Sequence, residues 1–411
     1  MTDTSTSLPP AALLEGIRVI DLTNVLSGPF CTYQMALLGA EVIKVENPEG
    51  GDLARKLGAS PALNARLMGA SFQAQNSGKK SIVLDLKSDH GRTVFLDLVR
   101  TADVLVENFR PGVMKRLGLD YAVLSDLNPG LIYCAISGFG QDGPLKNSPA
   151  YDQIIQGMSG IMSVTGTPDT APLRVGYPVA DTIGGLTGAF ATMAALVARA
   201  RSGQGQFIDV SMLDSSIVSM GWIVSNFLSA GIQPAPIGNE NMTAAPSGTF
   251  MAADGPLNIA ANKDDQFRNL CELIDRADLL QDPRFAERET RKLNRAALNA
   301  EINEALAKNT VAHWVTALTG LGVPAGPVLS VPQVLAHQQV TGRRLVQEVG
   351  EPDAQGQCTR VTRAGYRLGG SEPAARMPPP ELGEHTQEVL EFLGLAPTTI
   401  EELRRDRIVG G

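Results

Sequence analysis

Four cysteines and four histidines in 411 residues leave little material for disulfide or metal chemistry. Cys31, Cys134, Cys271 and Cys358 lie far apart with no CxxC pair, and His90, His313, His337 and His385 are equally scattered. Neither a structural zinc site nor a disulfide framework fits that spacing, so no metal is expected, and a reduced, cytoplasmic protein is. Basic residues are also short: 35 Lys and Arg face 43 Asp and Glu, a formal net charge of −8. Nucleic acid and anionic membrane are therefore not expected as partners, because no basic excess is present to neutralise phosphates. No uninterrupted apolar run reaches bilayer-spanning length, and the opening MTDTSTSLPPAA has neither a basic nor an apolar stretch of the kind that targets a chain for export.

A hydrophobic content of 43% against 19% charged residues implies a large buried core, and the length implies more than one domain. From Gly16 on, strand and helix signals alternate: IRVIDLT as a buried strand, GPFCTYQMALLGA as a helix opened by Pro29, EVIKVEN as a second strand. SIVLDLK, HGRTVFLDLVRTA, ADVLVENF, VMKRLG and GLIYCAIS repeat the theme. Short β-branched runs between amphipathic segments predict an α/β fold, a parallel sheet wrapped by helices. The small-residue stretch IGGLTGAFATMAALVARARSG suits close helix packing, and DVSMLDSSIVSMGWIVSNFLSAG predicts a long, mostly buried helix. The loop GIQPAPIGNENMTAAPSG marks a domain boundary, after which GTFMAADGPLNIAA predicts a hairpin with a DG turn, followed by charged helices. The expected organisation is a large domain over residues 1–228, a linker over 229–244, a small α+β domain over 245–330, and a segment over 331–411 that returns to the first sheet.

Two motifs compete for the chemistry. Gly138-Phe139-Gly140-Gln141-Asp142-Gly143 matches a dinucleotide-binding glycine pattern after a strand. Pro144 follows at once, no helix opens within it, and Asp142 stands where pyrophosphate oxygens belong, so a loop, with a possible role as a lid, is the better reading. The second motif is SPAYDQIIQGMSG, residues Ser148 to Gly160, which sets Asp152 in the first turn of a short helix. Capping explains such an aspartate, a stabilisation of roughly 0.3–1 kcal/mol. An ionised carboxylate held in a partly dry cleft and aimed at an electrophile is the second reading, and on these thirteen residues alone capping is the commoner case.

The ordered motifs GIRVIDLTNVLSGPF, GAEVIKVENPEGGD, NSGKKSIVLDLK, ADVLVENFRPGVMKRLGL, ISGFGQDGP, AYDQIIQGMSG, GQGQFIDVSMLD and GEHTQEVLEFLG resemble the family III coenzyme A transferases over nearly the whole chain. The resemblance implies a large Rossmann-like domain with a small domain, two subunits interlocked as an intertwined homodimer, and acyl-CoA and a carboxylic acid as substrates. Coenzyme A is then a substrate, and no cofactor is permanently bound. It implies further that Asp152 is the nucleophile. The carboxylate attacks the thioester to give a mixed anhydride, and the released thiolate returns to form an aspartyl-CoA thioester before a second acid collects the CoA.

The same resemblance carries the CoA contacts over by motif: Leu26 and Ser27 after the first strand, Leu84, Asp85, Leu86 and Lys87 after the third, and Asn108, Phe109 and Arg110 after the fourth. Arg116, Ser137 and Gly138 complete that group. Phe109 suits packing on adenine, while Lys87, Arg110 and Arg116 supply local positive charge for phosphates. Lys79, Lys80 and Lys87 also suit ordinary solvated strand ends, and Arg116 also suits a pair with Asp120. Gly140, Arg174, Gly238 and Asn239 are candidate substrate residues, Arg174 as a two-pronged clamp on a distal carboxylate or as a partner of Asp169. Formyl-CoA transferase has glutamine where this chain has Leu26 and lysine where it has Ser137, which argues against a formyl-CoA/oxalate specificity, and the overall pattern resembles the branch that uses succinyl-CoA with small dicarboxylates. The α-methylacyl-CoA racemases share the fold but place a histidine before the aspartate. Tyr151 stands here, a poor base near neutral pH, although Asp181 matches their second acid. A non-catalytic CoA-binding protein is the third reading.

Overall fold

The computed structural model describes residue 10, residues 12–352, residue 356 and residues 358–411. Contacts divide the chain into two compact units, one of residues 1–161, 174–232 and 339–411, the other of residues 162–173 and 233–338. The main stretch of the second unit begins within the anticipated linker, and the unit also takes in a short earlier segment.

The first unit is built on a seven-stranded sheet. Its strands are β1 (Arg18–Asp21), β2 (Glu41–Glu46), β3 (Lys80–Leu84), β4 (Val104–Glu107), β5 (Ile132–Ser137), β6 (Gln206–Ser211) and β12 (Val409–Gly410), in the order β12-β3-β2-β1-β4-β5-β6. All neighbours are parallel except β12, which runs antiparallel to β3. The order 3-2-1-4-5-6 is that of doubly wound nucleotide-binding folds, which place ligands at the carboxyl ends of the strands where the order reverses, here between β1 and β4.

Alternation along each strand explains the two cores. Ile20, Ile43, Leu105 and Tyr133 pack beneath Phe95 and Leu98 of the helix Asp89–Arg100, and Val19, Val42, Val106 and Cys134 beneath Cys31 and Met35 of the helix Ser27–Leu37. With both faces covered, the strands read as continuous apolar runs, as expected for a parallel sheet.

The helix Val179–Ser202 lies against the helix Ser27–Leu37, and its glycines make that approach possible. A Cβ on Gly185 would stand 2.5 Å from the Ser27 carbonyl oxygen, one on Gly184 3.0 Å from Ser27 Oγ, and one on Gly188 2.9 Å from Ile136. By length and composition this one helix, among the described residues, also suffices to cross a bilayer.

The second unit holds a three-stranded antiparallel sheet of β7 (Ser247–Ala252), β8 (Gly255–Ala260) and β9 (Ala325–Pro327), with Ala253 and Asp254 forming the hairpin turn. Helices cover it around Phe250, Leu257, Phe267, Leu298 and Trp314.

Two expectations need correction. The segment from Asp209 to Gly231 is not one buried helix. Asp209, Val210 and Ser211 end β6, Ser211 Oγ then caps a helix over Met212–Ser219 by accepting from the Asp214 N–H at 3.1 Å, and a second helix runs over Gly221–Ala230. That last helix buries none of its residues, and Trp222 and Leu228 are 78% and 76% exposed. The strand-like CTRVTRAGYRL does not rejoin the main sheet either. It supplies β11 (Thr359–Thr362), which among the described residues pairs only with β10 (Val346–Val349). The return to the sheet is made instead by β12 and by the Thr386 hydroxyl, which accepts the Val83 N–H at 3.1 Å.

Candidate active site

Asp152 opens the helix Asp152–Met158 but does not cap it. Tyr151 is the N-cap, without a side-chain hydrogen bond, and the Asp152 carboxylate turns to another helix. Its Oδ1 accepts the Ala180 N–H at 2.9 Å and the Asp181 N–H at 3.4 Å, so it sits on the positive end of the 24-residue helix Val179–Ser202. Its Oδ2 accepts from Gln156 Nε2 at 2.7 Å, one helical turn away along its own helix, and Arg174 Nη2 stands 4.0 Å off. The residue is 7% exposed, a carboxylate almost dry yet still reachable.

Gln156 is wholly buried and joins three elements: Nε2 also approaches the Tyr177 carbonyl at 3.3 Å, and Oε1 accepts the Val175 N–H at 2.8 Å. Sequence reasoning assigned Gln156 no role. The available signal was its fixed i,i+4 distance from Asp152, which puts both side chains on one helix face.

Asp181, beside Asp152, has its carboxyl pushed up to about 7, first by burial and then by the Asp152 charge. Asp181 therefore carries less than a full negative charge near neutral pH.

The carboxyl ends of β1 to β4 enclose a cleft of about 520 Å³, lined by Thr23, Asn24, Asp52, Leu84, Asp85, Leu86, Lys87 and Phe109 among others. The expected contacts Leu84 to Lys87 and Phe109 therefore meet at the reversal point of the sheet. Asn108 stands beside them, its amide exchanging hydrogen bonds of 2.8 Å with both the N–H and the carbonyl of Asn24. Arg110 and Arg116 flank Val113, which also lines the cleft, on the connection after β4; the Asp120 carboxylate is engaged as a cap on the Val123 N–H at 3.3 Å.

Ser27 opens the helix Ser27–Leu37 and packs on Gly184, one helical turn of about 5.4 Å beyond Ala180, the donor to Asp152. The cleft edge and Asp152 are thereby joined through Asn24, Ser27 and one helix face. Ser27 Oγ and Ser137 Oγ are buried without a protein hydrogen-bond partner, as orphaned groups facing a ligand would be.

Gly138 must be glycine, because a Cβ there would lie 2.4 Å from the Ala150 Cβ. Gly140 adopts φ +85°, and the loop is tied down by Asp209, whose Oδ2 accepts the Gln141 N–H at 2.9 Å. Glu107, beneath the cleft, accepts the Phe109 N–H at 2.7 Å; burial above all, with Asp209 adding, pushes its carboxyl up to about 8. Gly238 and Asn239 belong to the second unit, where they line a pocket of about 460 Å³ with Gly166 and Thr170, and the Gly238 N–H donates to the Gly166 carbonyl at 2.7 Å.

Lys79 is corrected outright. It is no solvated strand-end lysine but lies at 0% exposure, with Nζ on Asp21, Thr32, Asn76 and the Pro29 carbonyl. Lys80 is spent on Glu41 and Glu388.

A doubly wound sheet with a cleft at its reversal point, and two neighbouring acids at the start of one long helix, places the chain in the class of Rossmann-like α/β folds. The model of CoA-transferase family III matches residues 14–386, and the chain belongs to that family. It is 42% identical to the acetyl-CoA:oxalate CoA-transferase of Acetobacter aceti, across 93% of this chain and 96% of that one. Identity to the succinate–glutarate CoA-transferase of Agrobacterium fabrum is 40%, across 96% and 98%. The crystal structure of a CAIB/BAIF family protein from Brucella suis superposes with a TM-score of 0.83 at 36% identity, covering 94% of this chain and 100% of that one. The protein is a CoA-transferase.

Proposed function

We propose that this enzyme moves CoA from succinyl-CoA to a small dicarboxylic acid through covalent intermediates on Asp152. The observation that carries the reading is the Asp152 carboxylate, nearly dry, fixed by the Ala180 N–H and Gln156, with the Arg174 guanidinium 4.0 Å away. One Asp152 oxygen attacks the thioester carbonyl, the C–S bond breaks, and CoA leaves as thiolate with a mixed anhydride on Asp152. The thiolate attacks the aspartyl carbonyl, expelling the first carboxylate and leaving an aspartyl-CoA thioester. The acceptor carboxylate attacks this thioester, the thiolate leaves again and finally attacks the acceptor's carbonyl, freeing Asp152. Charges and atoms balance at each step.

CoA lies in the cleft at the ends of β1 to β4 in this reading, with Phe109 against adenine, Lys87, Arg110 and Arg116 toward phosphates, and Ser27, Ser137 and Gly138 near the thioester. Arg174 holds the distal carboxylate of the acid, and Gly140 shapes the loop above it. Relatives named for glutarate and for oxalate support a dicarboxylate acceptor. The exposed apolar residues Phe190, Val218, Trp222 and Leu228 support an intertwined homodimer that covers them. A soluble, cytoplasmic enzyme fits the same picture.

The test is a panel of succinyl-CoA and acetyl-CoA against oxalate, glutarate, mesaconate and a monocarboxylate, with thioester products read by mass. Hydroxylamine trapping and peptide mass analysis run alongside. Modification at Asp152 with succinyl transfer to a dicarboxylate is expected. Modification elsewhere, or full turnover by Asp152→Ala, overturns the mechanism.

A further inference from the structure

Between β1 and the helix Ser27–Leu37 the chain makes a turn, Thr23-Asn24-Val25, at the edge of the cleft. Val25 has φ +67°, a left-handed conformation that a β-branched side chain rarely adopts. Such a backbone persists only where its surroundings over-determine it.

Here they do, and the determining groups are side chains from three different strands and their loops. The Thr23 N–H and hydroxyl donate to Asp21 Oδ1. The Thr23 carbonyl accepts from Lys44 Nζ at 2.7 Å. Asn24 exchanges both its backbone groups with Asn108, and the Val25 N–H donates to Asp52 Oδ1 at 2.9 Å.

Lys44 and Asp52 are themselves a pair, with Nζ 2.9 Å from Oδ2 and both side chains at 0% exposure. Asp52 also accepts the Ala54 N–H at 2.9 Å and donates its own N–H to Glu46 Oε2 at 2.9 Å, while Glu46 is gripped by Arg55. Burial opposes the charge of Asp52, yet Lys44 and the two N–H donors hold its carboxyl below the usual range. The set Asp21, Glu46, Asp52, Lys44, Arg55 and Lys79 pairs three acids with three bases, so this cluster balances its own charge.

We propose that Asp52 and Lys44 are positioning residues for acyl-CoA. They act through the strained Thr23–Val25 turn, which aims Leu26 and Ser27 at the thioester beside Asp152. This rests on the reading that the cleft at the ends of β1 to β4 holds CoA. Neither side chain needs to touch the reacting atoms. Their task is to keep the turn in one conformation before substrate arrives, so that binding spends nothing on ordering it.

The test uses the full-length enzyme, with KM measured separately for succinyl-CoA and for the carboxylic acid acceptor. Asp52→Asn keeps the shape but removes the charge that holds Lys44, and Lys44→Met removes the donor to the Thr23 carbonyl. In each, at matched folded fraction, the succinyl-CoA KM is expected to rise about tenfold to a hundredfold while the acceptor KM stays within twofold. Val25→Gly keeps every clamp contact and adopts φ +67° without strain, so its succinyl-CoA KM is expected to stay within twofold. A succinyl-CoA KM within twofold of wild type in both Asp52→Asn and Lys44→Met overturns the proposal, as does a parallel rise for both substrates. Phe109→Ala separates the two layers. If it weakens succinyl-CoA while Asp52→Asn and Lys44→Met do not, the clamp alone is wrong. If it leaves succinyl-CoA untouched, the cleft assignment falls and the clamp with it.

Discussion

Replacing Gln156 removes a side chain that holds the Asp152 carboxylate from one turn along its own helix. Its Nε2 donates to Asp152 Oδ2 at 2.7 Å, a bond to a charged group, and such bonds contribute about 1.5–3 kcal/mol. If the orientation of Asp152 is fully used in the transition state, losing it lowers kcat/KM by about 10- to 150-fold, at about 1.4 kcal/mol per decade. Gln156→Ala also leaves the partly buried Val175 N–H without its 2.8 Å acceptor, so the thermal midpoint should fall as well. Gln156→Glu should lose more activity than Gln156→Ala, because it sets a second carboxylate against Asp152 and one of the two must take up a proton. The assay is single-turnover formation of the Asp152 adduct, followed by hydroxylamine trapping and peptide mass analysis, at matched folded fractions. A Gln156→Ala enzyme within twofold of wild type in that rate would refute the reasoning, since the charged hydrogen bond would then contribute nothing to reaction.

Asp181 titrates near 7, so raising the pH from 6 to 8.5 places a second negative charge beside Asp152 and should raise the KM of an anionic acceptor; Asp181→Asn should flatten that dependence, and an unchanged profile in the variant argues against it. Glu107 keeps its proton in the fold up to about pH 8 while the unfolded side chain loses it near its ordinary value of 4.5. The folded state therefore binds more protons across that window, and stability declines from about pH 4.5 to 8 before levelling off. Glu107→Gln should accordingly gain thermal stability relative to wild type at pH 8.5 but not at pH 5, and an equal difference at both would contradict the assignment. Gly185→Ala drives a Cβ to 2.5 Å from the Ser27 carbonyl oxygen, and an overpacking cost of about 1–3 kcal/mol should appear as a lower unfolding midpoint. Arg174→Ala should weaken dicarboxylate acceptors more than a monocarboxylate of similar size, and an equal loss in kcat/KM for both removes the clamp.

What the sequence made legible was whatever depends on neighbours in the chain. Runs such as IRVIDLT and GLIYCAIS announce buried strands because period-2 burial on two covered faces leaves no polar alternation, and β1 and β5 lie within them. Asp152 was visible as an acid in a first turn, but its donors were not. A side chain at the first helical position has passed the N-cap geometry that reaches back to its own amides, so it turned to Ala180, 28 residues on, which only the packing of two helices brings near.

Lys79 reads locally as the first of two strand-end lysines. Burial became affordable only because Asp21, Thr32, Asn76 and the Pro29 carbonyl, drawn from three segments, converge on one ammonium. The helix Gly221–Ala230 failed in the opposite direction. Its apolar composition predicts burial correctly as a demand, yet a single chain leaves that demand unmet, and Trp222 stands 78% exposed. Periodicity measures how much apolar surface must be covered and is silent on which chain covers it. A sedimentation measurement on the full-length protein and on Trp222→Glu with Leu228→Glu therefore tests the fold reading and the dimer together. The wild type should sediment as a dimer and the double variant as a smaller or aggregated species, whereas a monomeric wild type would mean that this face is left to water and that the intertwined assembly is wrong.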